Sequence, residues 1–406
     1  MEYQYKFCLF YWSDFMINET MRAWGANRCL IRDLAEYGAQ RAAVVGKENV
    51  FDYTIGNPSV PAPKAVDDAI REIMAEMPSL ELHSYTPAKG LLETREAIAA
   101  DLNARFGAGA GAEDLFICSG ASQELAALCR ALYFPGCEIL AIAPYFPEYK
   151  VFAEAAGAEF KVVPPDLPGF QISLEAVEAT LSEKTAAILV NSPNNPAGTV
   201  YTRQTLEGLG ALLEKKSREL GRPIYVIADE PYRELVYGVE TPFMPLIYPN
   251  TVVCYSYSKS LSLPGERIGY IYVPKAAADS ESLMEAVAGA ARAVGHICAS
   301  SLMQRVIARC AHLMPDLTAY DQNRRLLYEG LTAMGYETAR PDGAFYLFVK
   351  APGGNANAFS RRAMEKDLLV VPGDDFGCPG YLRLCYCLPE EKLLRSLPIF
   401  RELIEE

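Results

Sequence analysis

The sequence predicts an α/β fold: a mostly parallel sheet covered by helices on both faces, joined to a smaller α+β domain. Three observations predict it. From about residue 60 to residue 290, short apolar strands alternate with amphipathic helices, the pattern of a parallel sheet buried on both faces. Five of the strands end in polar or Gly/Pro-containing turns: SGAS, APYFPEY, NSPNNPAG, ADEPYRE and SYSKS. From about Arg292 the pattern changes to a long helical stretch and then to three extended runs.

Taken in order, PKAVDDAIREIMAEM carries Val66, Ala69, Ile70, Ile73, Met74 and Met77 at helical spacing. DLFICSG reads as a buried strand and ASQELAALCRALY as the helix that follows it. EILAIAPY and AAILVNSP continue the strands, and TLEGLGALLEKKSREL is the next helix. IYVIADEP, TVVCYSYS and RIGYIYVP complete the sheet. GAFYLFVKAP, DLLVVPGDDFG and YLRLCYCLP belong to the smaller domain, which the segment before Gly56 completes. The expected division is 56–290 for the large domain, and 16–55 with 291–406 for the small one. The GAGAG run at 107–111 lacks the G-x-x-x-x-G-K-[ST] pattern of a phosphate loop and reads as a flexible connector. Residues 1–15, MEYQYKFCLFYWSDF, lack a basic start and a small-residue cleavage site. With a second Met at position 16, they read as an N-terminal extension.

Composition narrows the function classes. A chain of 406 residues exceeds the usual single core. A net charge of −13 argues against nucleic acid, because phosphate neutralisation needs a basic face. No apolar run reaches the about 20 residues that cross a bilayer. The eleven cysteines include no C-x-x-C pair and read as reduced thiols of a cytoplasmic protein. Cys385 and Cys387, two apart in an extended run, are expected to face opposite ways. His83, His296 and His312 are scattered, which argues against a metal site.

The chemistry gathers at the strand ends, where open α/β sheets bind ligands. Lys259 follows an apolar strand and a Ser-Tyr-Ser turn, and Arg267 opens the next strand. Desolvation and a nearby cation keep an amine neutral enough to attack an aldehyde. Arginine and hydroxyls together suit a phosphate dianion. Asp229 ends a very apolar strand, so it needs a partner. A helix N-cap is one reading. A protonated ring nitrogen is the other, worth roughly 4 kcal/mol at about 4 Å and an effective dielectric near 20. Tyr232 stands three residues on. Asn195, in a turn stiffened by Pro193 and Pro196, offers an amide donor. The amides of Ala121 and Ser122 open a helix, a ready anion site. Tyr85 and Arg383 mean little alone.

Eight segments occur in one order: IGNPSVPAP, YTPAKGLLETREAIA, SGAS, PYFPEY, NSPNNPAGTVY, DEPYRELVY, SYSKSLSLPGERIGY and RLCYC. In these the chain resembles the class I/II aminotransferases of fold type I, which include the aspartate aminotransferases. The resemblance runs from about Arg22 to the C-terminus. It implies a large domain with a mostly parallel seven-stranded sheet and the cofactor pyridoxal 5′-phosphate. Lys259 would form the internal aldimine, then move the substrate α-proton as the amino group passes through a pyridoxamine form. Asp229 would bind the pyridine nitrogen, while Asn195 and Tyr232 touch the phenolic oxygen. Ala121, Ser122, Ser256, Ser258 and Arg267 would hold the phosphate, with Tyr85 reaching it from the other subunit of a homodimer. Arg383, assisted by the backbone at Gly56, would clamp the substrate carboxylate, and Phe146 would stack on the ring. The substrates implied are an L-amino acid, with aspartate a candidate, and a 2-oxo acid such as 2-oxoglutarate. Arg292 is a candidate cation for a distal carboxylate, though equally readable as an exposed helix charge. A β-lyase using the same lysine is the first rival. A cofactor-binding regulatory module is the second, but this acidic chain carries no basic DNA-binding domain before the core.

Overall fold

The computed structural model describes residues 17–26 and 30–406; the expected extension at 1–15 lies outside them. Strand β1 (Phe51–Asp52) comes first. The main sheet follows: β2 (Leu115–Cys118), β3 (Glu138–Ile142), β4 (Glu159–Val163), β5 (Thr185–Asn191), β6 (Tyr225–Asp229), β7 (Thr251–Ser256) and β8 (Gly269–Tyr272). Its spatial order is β2-β8-β7-β6-β5-β3-β4. All neighbours run parallel except β8, which is antiparallel to both β2 and β7. The seven-stranded, mostly parallel sheet that the sequence implied is therefore present.

Strands β3, β5 and β7 are buried along their whole length. That follows from their near-continuous apolar sequences, since a parallel strand between two helical layers has no wet face. Successive residues serve opposite layers. Ile117, Leu140, Ile188, Val226 and Val253 join one apolar cluster, while Phe116, Ile139, Leu189, Ile227 and Val252 join the other.

The smaller body holds β9 (Tyr346–Lys350), β10 (Leu368–Leu369), β11 (Val371–Pro372) and β12 (Tyr381–Cys385). Strands β11, β12 and β9 form an antiparallel sheet in that order, and β10 pairs in parallel with β1. Phe51 and Tyr53, from the segment before Gly56, share its core with Leu327, Leu347, Leu384 and Phe400.

Three expectations need correction. The long helical stretch from Arg292 is broken: helices occupy Ser280–Ala293, Ser301–Cys310 and Thr318–Ala333, with Gly295 at φ 87° in the first gap. The helix Ser301–Cys310 puts Met303, Val306 and Ile307 into the large-sheet cluster with Val66, Ile73 and Ile98, beyond the boundary expected at 290/291. Cys385 and Cys387 do not face opposite ways. Residues two apart in an extended chain share a face, and the two thiols are near enough to shift each other's titration. No helix among the described residues is long and apolar enough to cross a membrane.

Gly198 joins the two bodies. Its carbonyl accepts from the Asp342 and Gly343 amides at 2.9 and 2.8 Å. Its φ is 70°, and a Cβ there would stand 2.3 Å from the Tyr346 carbonyl oxygen. Gly198→Ala should therefore lower stability by about 1–3 kcal/mol, read from urea unfolding midpoints. An unchanged midpoint would show that the junction tolerates the added carbon.

Candidate active site

The carboxyl ends of β2, β5, β6 and β7 open on one edge of the sheet. The start of β8 lies there too, because Gly269 pairs with both Cys118 and Ser256. At this edge a cavity of about 290 Å³ opens. The residues expected in the site line it, apart from Tyr85 and the candidate Arg292: Gly56, Ala121, Ser122, Phe146, Asn195, Asp229, Tyr232, Ser256, Ser258, Lys259, Arg267 and Arg383. Tyr85 is 88% exposed, and Arg292 is also exposed and stands outside the lining.

Lys259 sits on a single helical turn, Tyr257–Ser260, directly after β7. Ser256 caps that turn through its hydroxyl, which accepts from the Ser258 amide at 3.3 Å. The ammonium donates to the Gly56 carbonyl at 2.7 Å. Burial lowers the Lys259 pKa, and Arg267 and Arg383 push the same way, with Cys385 and Cys387 opposing. The amine is thus biased toward its nucleophilic neutral form.

Asp229 ends β6 and is 5% exposed. Tyr149 donates to its Oδ2 at 2.5 Å, while Oδ1 is buried and has no partner among the described residues. Burial raises this carboxyl to about 7, with Glu230 reinforcing the rise and the Tyr149 hydrogen bond opposing it. No helix starts at Asp229, so the N-cap reading falls. A buried carboxylate offering one free oxygen to a cavity is suited to a cationic donor.

An anion cup faces it. The helix Ala121–Ala131 commits its Gln123 and Glu124 amides to the Gly120 carbonyl, which leaves the Ala121 and Ser122 amides for an anion. Ser256 and Ser258 hydroxyls stand 2.7 Å apart, and Arg267 reaches Ser258 Oγ at 3.4 Å. Gly120, at φ 87°, permits the approach: a Cβ there would lie 2.7 Å from Arg267 Nη2. Amides, hydroxyls and a guanidinium together match a phosphate dianion.

Arg383 enters from β12 and is 3% exposed. It donates to the Thr54 carbonyl and, at 3.2 Å, to Asn195 Oδ1. Its Nε is buried without a partner among the described residues. That leaves part of the fork for a carboxylate. Gly56, expected to help hold the same carboxylate, here serves the Lys259 ammonium through its carbonyl.

Some lining residues escaped the sequence reading. Tyr346 hydrogen-bonds Tyr232 through the two hydroxyls at 3.0 Å, and Arg383 lies 4.9 Å over its ring. Asn191 ties the Asn195 amide, at 2.7 Å, to the Asp229 carbonyl, at 2.8 Å. Ile31 and Ile55 add apolar lining. Tyr149 lay inside the quoted PYFPEY motif, but nothing in that motif marked its hydroxyl as Asp229's partner.

A sequence profile of the family described as aminotransferase class I and II matches residues 48–397. An aspartate aminotransferase of Thermotoga maritima is 31% identical over 376 residues, covering 89% of this chain and 93% of its own. The crystal structure of an aminotransferase from Eubacterium rectale superposes with a TM-score of 0.94 at 52% identity, covering 96% of this chain and 98% of that one. An aspartate aminotransferase of Thermus thermophilus solved with maleate gives a TM-score of 0.83 at 28% identity, covering 96% and 100%.

The raised Asp229 carboxyl sets a pH dependence. The folded, ligand-free protein holds this proton more tightly than the unfolded chain, whose carboxyl titrates near 3.8. Stability from this group is therefore full at low pH and is lost as pH rises from about 3.8 through about 7. Asp229→Asn should flatten that part of the profile in urea unfolding across pH. A mutant profile parallel to the wild type would contradict the assignment.

Proposed function

The chain belongs to the class I and II aminotransferase family, and from that premise we propose how its residues divide the transfer of an amino group. The family works with pyridoxal 5′-phosphate, and the residues present fit that group. The unpartnered oxygen of Asp229 suits a protonated ring nitrogen, and the Arg267 cup suits a phosphate. When bound, the cofactor supplies an aldehyde and an electron-withdrawing ring.

In this reading Lys259 Nζ would hold the cofactor covalently until the substrate amine displaces it, and the freed amine would then serve as the base for the proton on the substrate α-carbon. Its lowered pKa supports that use. Asp229 keeps the ring nitrogen protonated. Asn195 and Tyr232 bind the phenolic oxygen, and Phe146 offers a π-face to the ring. Ala121, Ser122, Ser256, Ser258 and Arg267 hold the phosphate. Arg383 orients the substrate carboxylate with its unused Nε, assisted by the backbone at Gly56.

The donor is L-aspartate, a choice supported by the names of the Thermotoga and Thermus relatives, and the acceptor is a 2-oxo acid such as 2-oxoglutarate. The working form is a homodimer in which Tyr85 serves the neighbouring phosphate site. The exposure of Tyr85, Leu80 and Ile297 supports a covered face there. The protein works in the cytoplasm, where its free cysteines stay reduced. One observation carries the whole reading: a single cavity gathers a desolvated lysine, an orphan carboxylate, an anion cup and a half-satisfied arginine.

Aspartate added alone should convert the yellow protein to a colourless form, and 2-oxoglutarate should restore the colour. Lys259→Ala should do neither, losing at least about 10²-fold in rate. Arg383→Ala should cut kcat/KM for aspartate by roughly two to three orders of magnitude. Colour indifferent to every amino acid, or an Arg383→Ala enzyme with unchanged kcat/KM, would overturn these assignments.

A further inference from the structure

Glu124 is fully buried, and neither of its carboxylate oxygens has a hydrogen-bond partner among the described residues. It lies on the first turn of the helix Ala121–Ala131, whose amino end forms the anion cup. Its carboxylate is packed against Gly269, which lies against Gly120, the glycine that Arg267 approaches. A Cβ on Gly269 would stand 2.4 Å from Glu124 Oε1 and 3.1 Å from Gly120 Cα, and a Cβ on Gly120 would stand 2.7 Å from Arg267 Nη2. Acid and guanidinium thus meet the crossing of the two glycines, Glu124 at Gly269 and Arg267 at Gly120.

The groups that face Glu124 come from each neighbouring element. Arg267, ahead of β8, favours the carboxylate, while Asp229 at the end of β6 opposes it. The Tyr255 backbone also favours the carboxylate, and the thiols of Cys118 in β2 and Cys254 in β7 complete the surroundings. Burial is the largest influence and favours the neutral acid, while the helix amino end favours charge. The balance therefore turns on how much positive potential the cup leaves to Glu124. A phosphate dianion at the Ala121 and Ser122 amides claims the same helix end and the same Arg267.

We infer that Glu124 is a positioning residue that couples phosphate binding to a proton. Filling the cup drives Glu124 into its protonated form, and one proton from solvent is taken up per bound dianion wherever Glu124 was ionised beforehand. An ionised Glu124 competes with the phosphate for Arg267, so affinity falls as pH rises. This inference rests on the proposed assignment of the cup to the cofactor phosphate.

The test is calorimetric titration of the cofactor-stripped full chain with pyridoxamine 5′-phosphate, which forms no bond with Lys259. It is run from neutral to alkaline pH in buffers of different ionisation enthalpy, beside Glu124→Gln. The wild type should take up one more proton than the variant, and its affinity should fall more steeply, by up to about tenfold per pH unit. Equal proton counts and parallel pH profiles overturn the inference. Should the variant fail to fold, infrared difference spectra of the wild type on adding inorganic phosphate decide. A new protonated-carboxyl band supports the inference, and its absence across the pH range overturns it. Failure of the wild type to bind either phosphate compound instead refutes the cup assignment itself.

Discussion

Asp229 is buried at the end of a wholly apolar strand, and one of its two carboxylate oxygens has no partner among the described residues. The cost of that arrangement constrains its whole surroundings. Tyr149 is committed to the other oxygen, and Asn191 holds the backbone beneath it. Without a cation the carboxyl is pushed toward its neutral form, and a protonated ring nitrogen would restore the charge. The fold thus stores an unsatisfied group in its centre and leaves the ligand to satisfy it.

Around this point the site is braced by buried polar networks. Tyr255 Oη lies 2.8 Å from both Glu234 Oε2 and Ser260 Oγ, the latter on the turn that carries Lys259. Glu234 also takes Arg105 at 2.7 Å, and Arg105 pairs with Asp101 on the helix Leu92–Phe106. Arg233 pairs with Glu230 at 2.5 Å and lies 4.5 Å over the Tyr255 ring. Breaking such buried pairs costs about 3–5 kcal/mol, which makes them rigid supports for the lysine. Arg383 does the same between the two bodies, since it reaches Thr54 and Asn195 at once.

Much of this was legible in the sequence because its signals were local. Strand ends rich in Ser, Asn, Pro and Asp named Lys259, Asp229, Asn195 and Arg267, and the cavity contains all four. The sheet was legible because buried parallel strands have to be continuously apolar. What escaped depends on distant contacts. Tyr346 sits in an apolar strand and Tyr149 in a short helix, where a tyrosine looks like any core aromatic until its hydroxyl partner is known. Glu124 reads as an ordinary first-turn acid on a helix, and only packing against Gly269 reveals that it is dry. The boundary near residue 290 failed for a similar reason: the helix Ser301–Cys310 is amphipathic in either domain, and only its contacts assign it. The Cys385 and Cys387 error was one of strand geometry, where period two places both thiols on one face.

The central claim is that Lys259 is the residue to which the cofactor is joined. Reduction of the yellow protein with borohydride, followed by protease digestion and mass spectrometry, tests it most directly. The account predicts a single cofactor-modified peptide, the one containing Lys259. Modification of a different lysine, or of none, would contradict it.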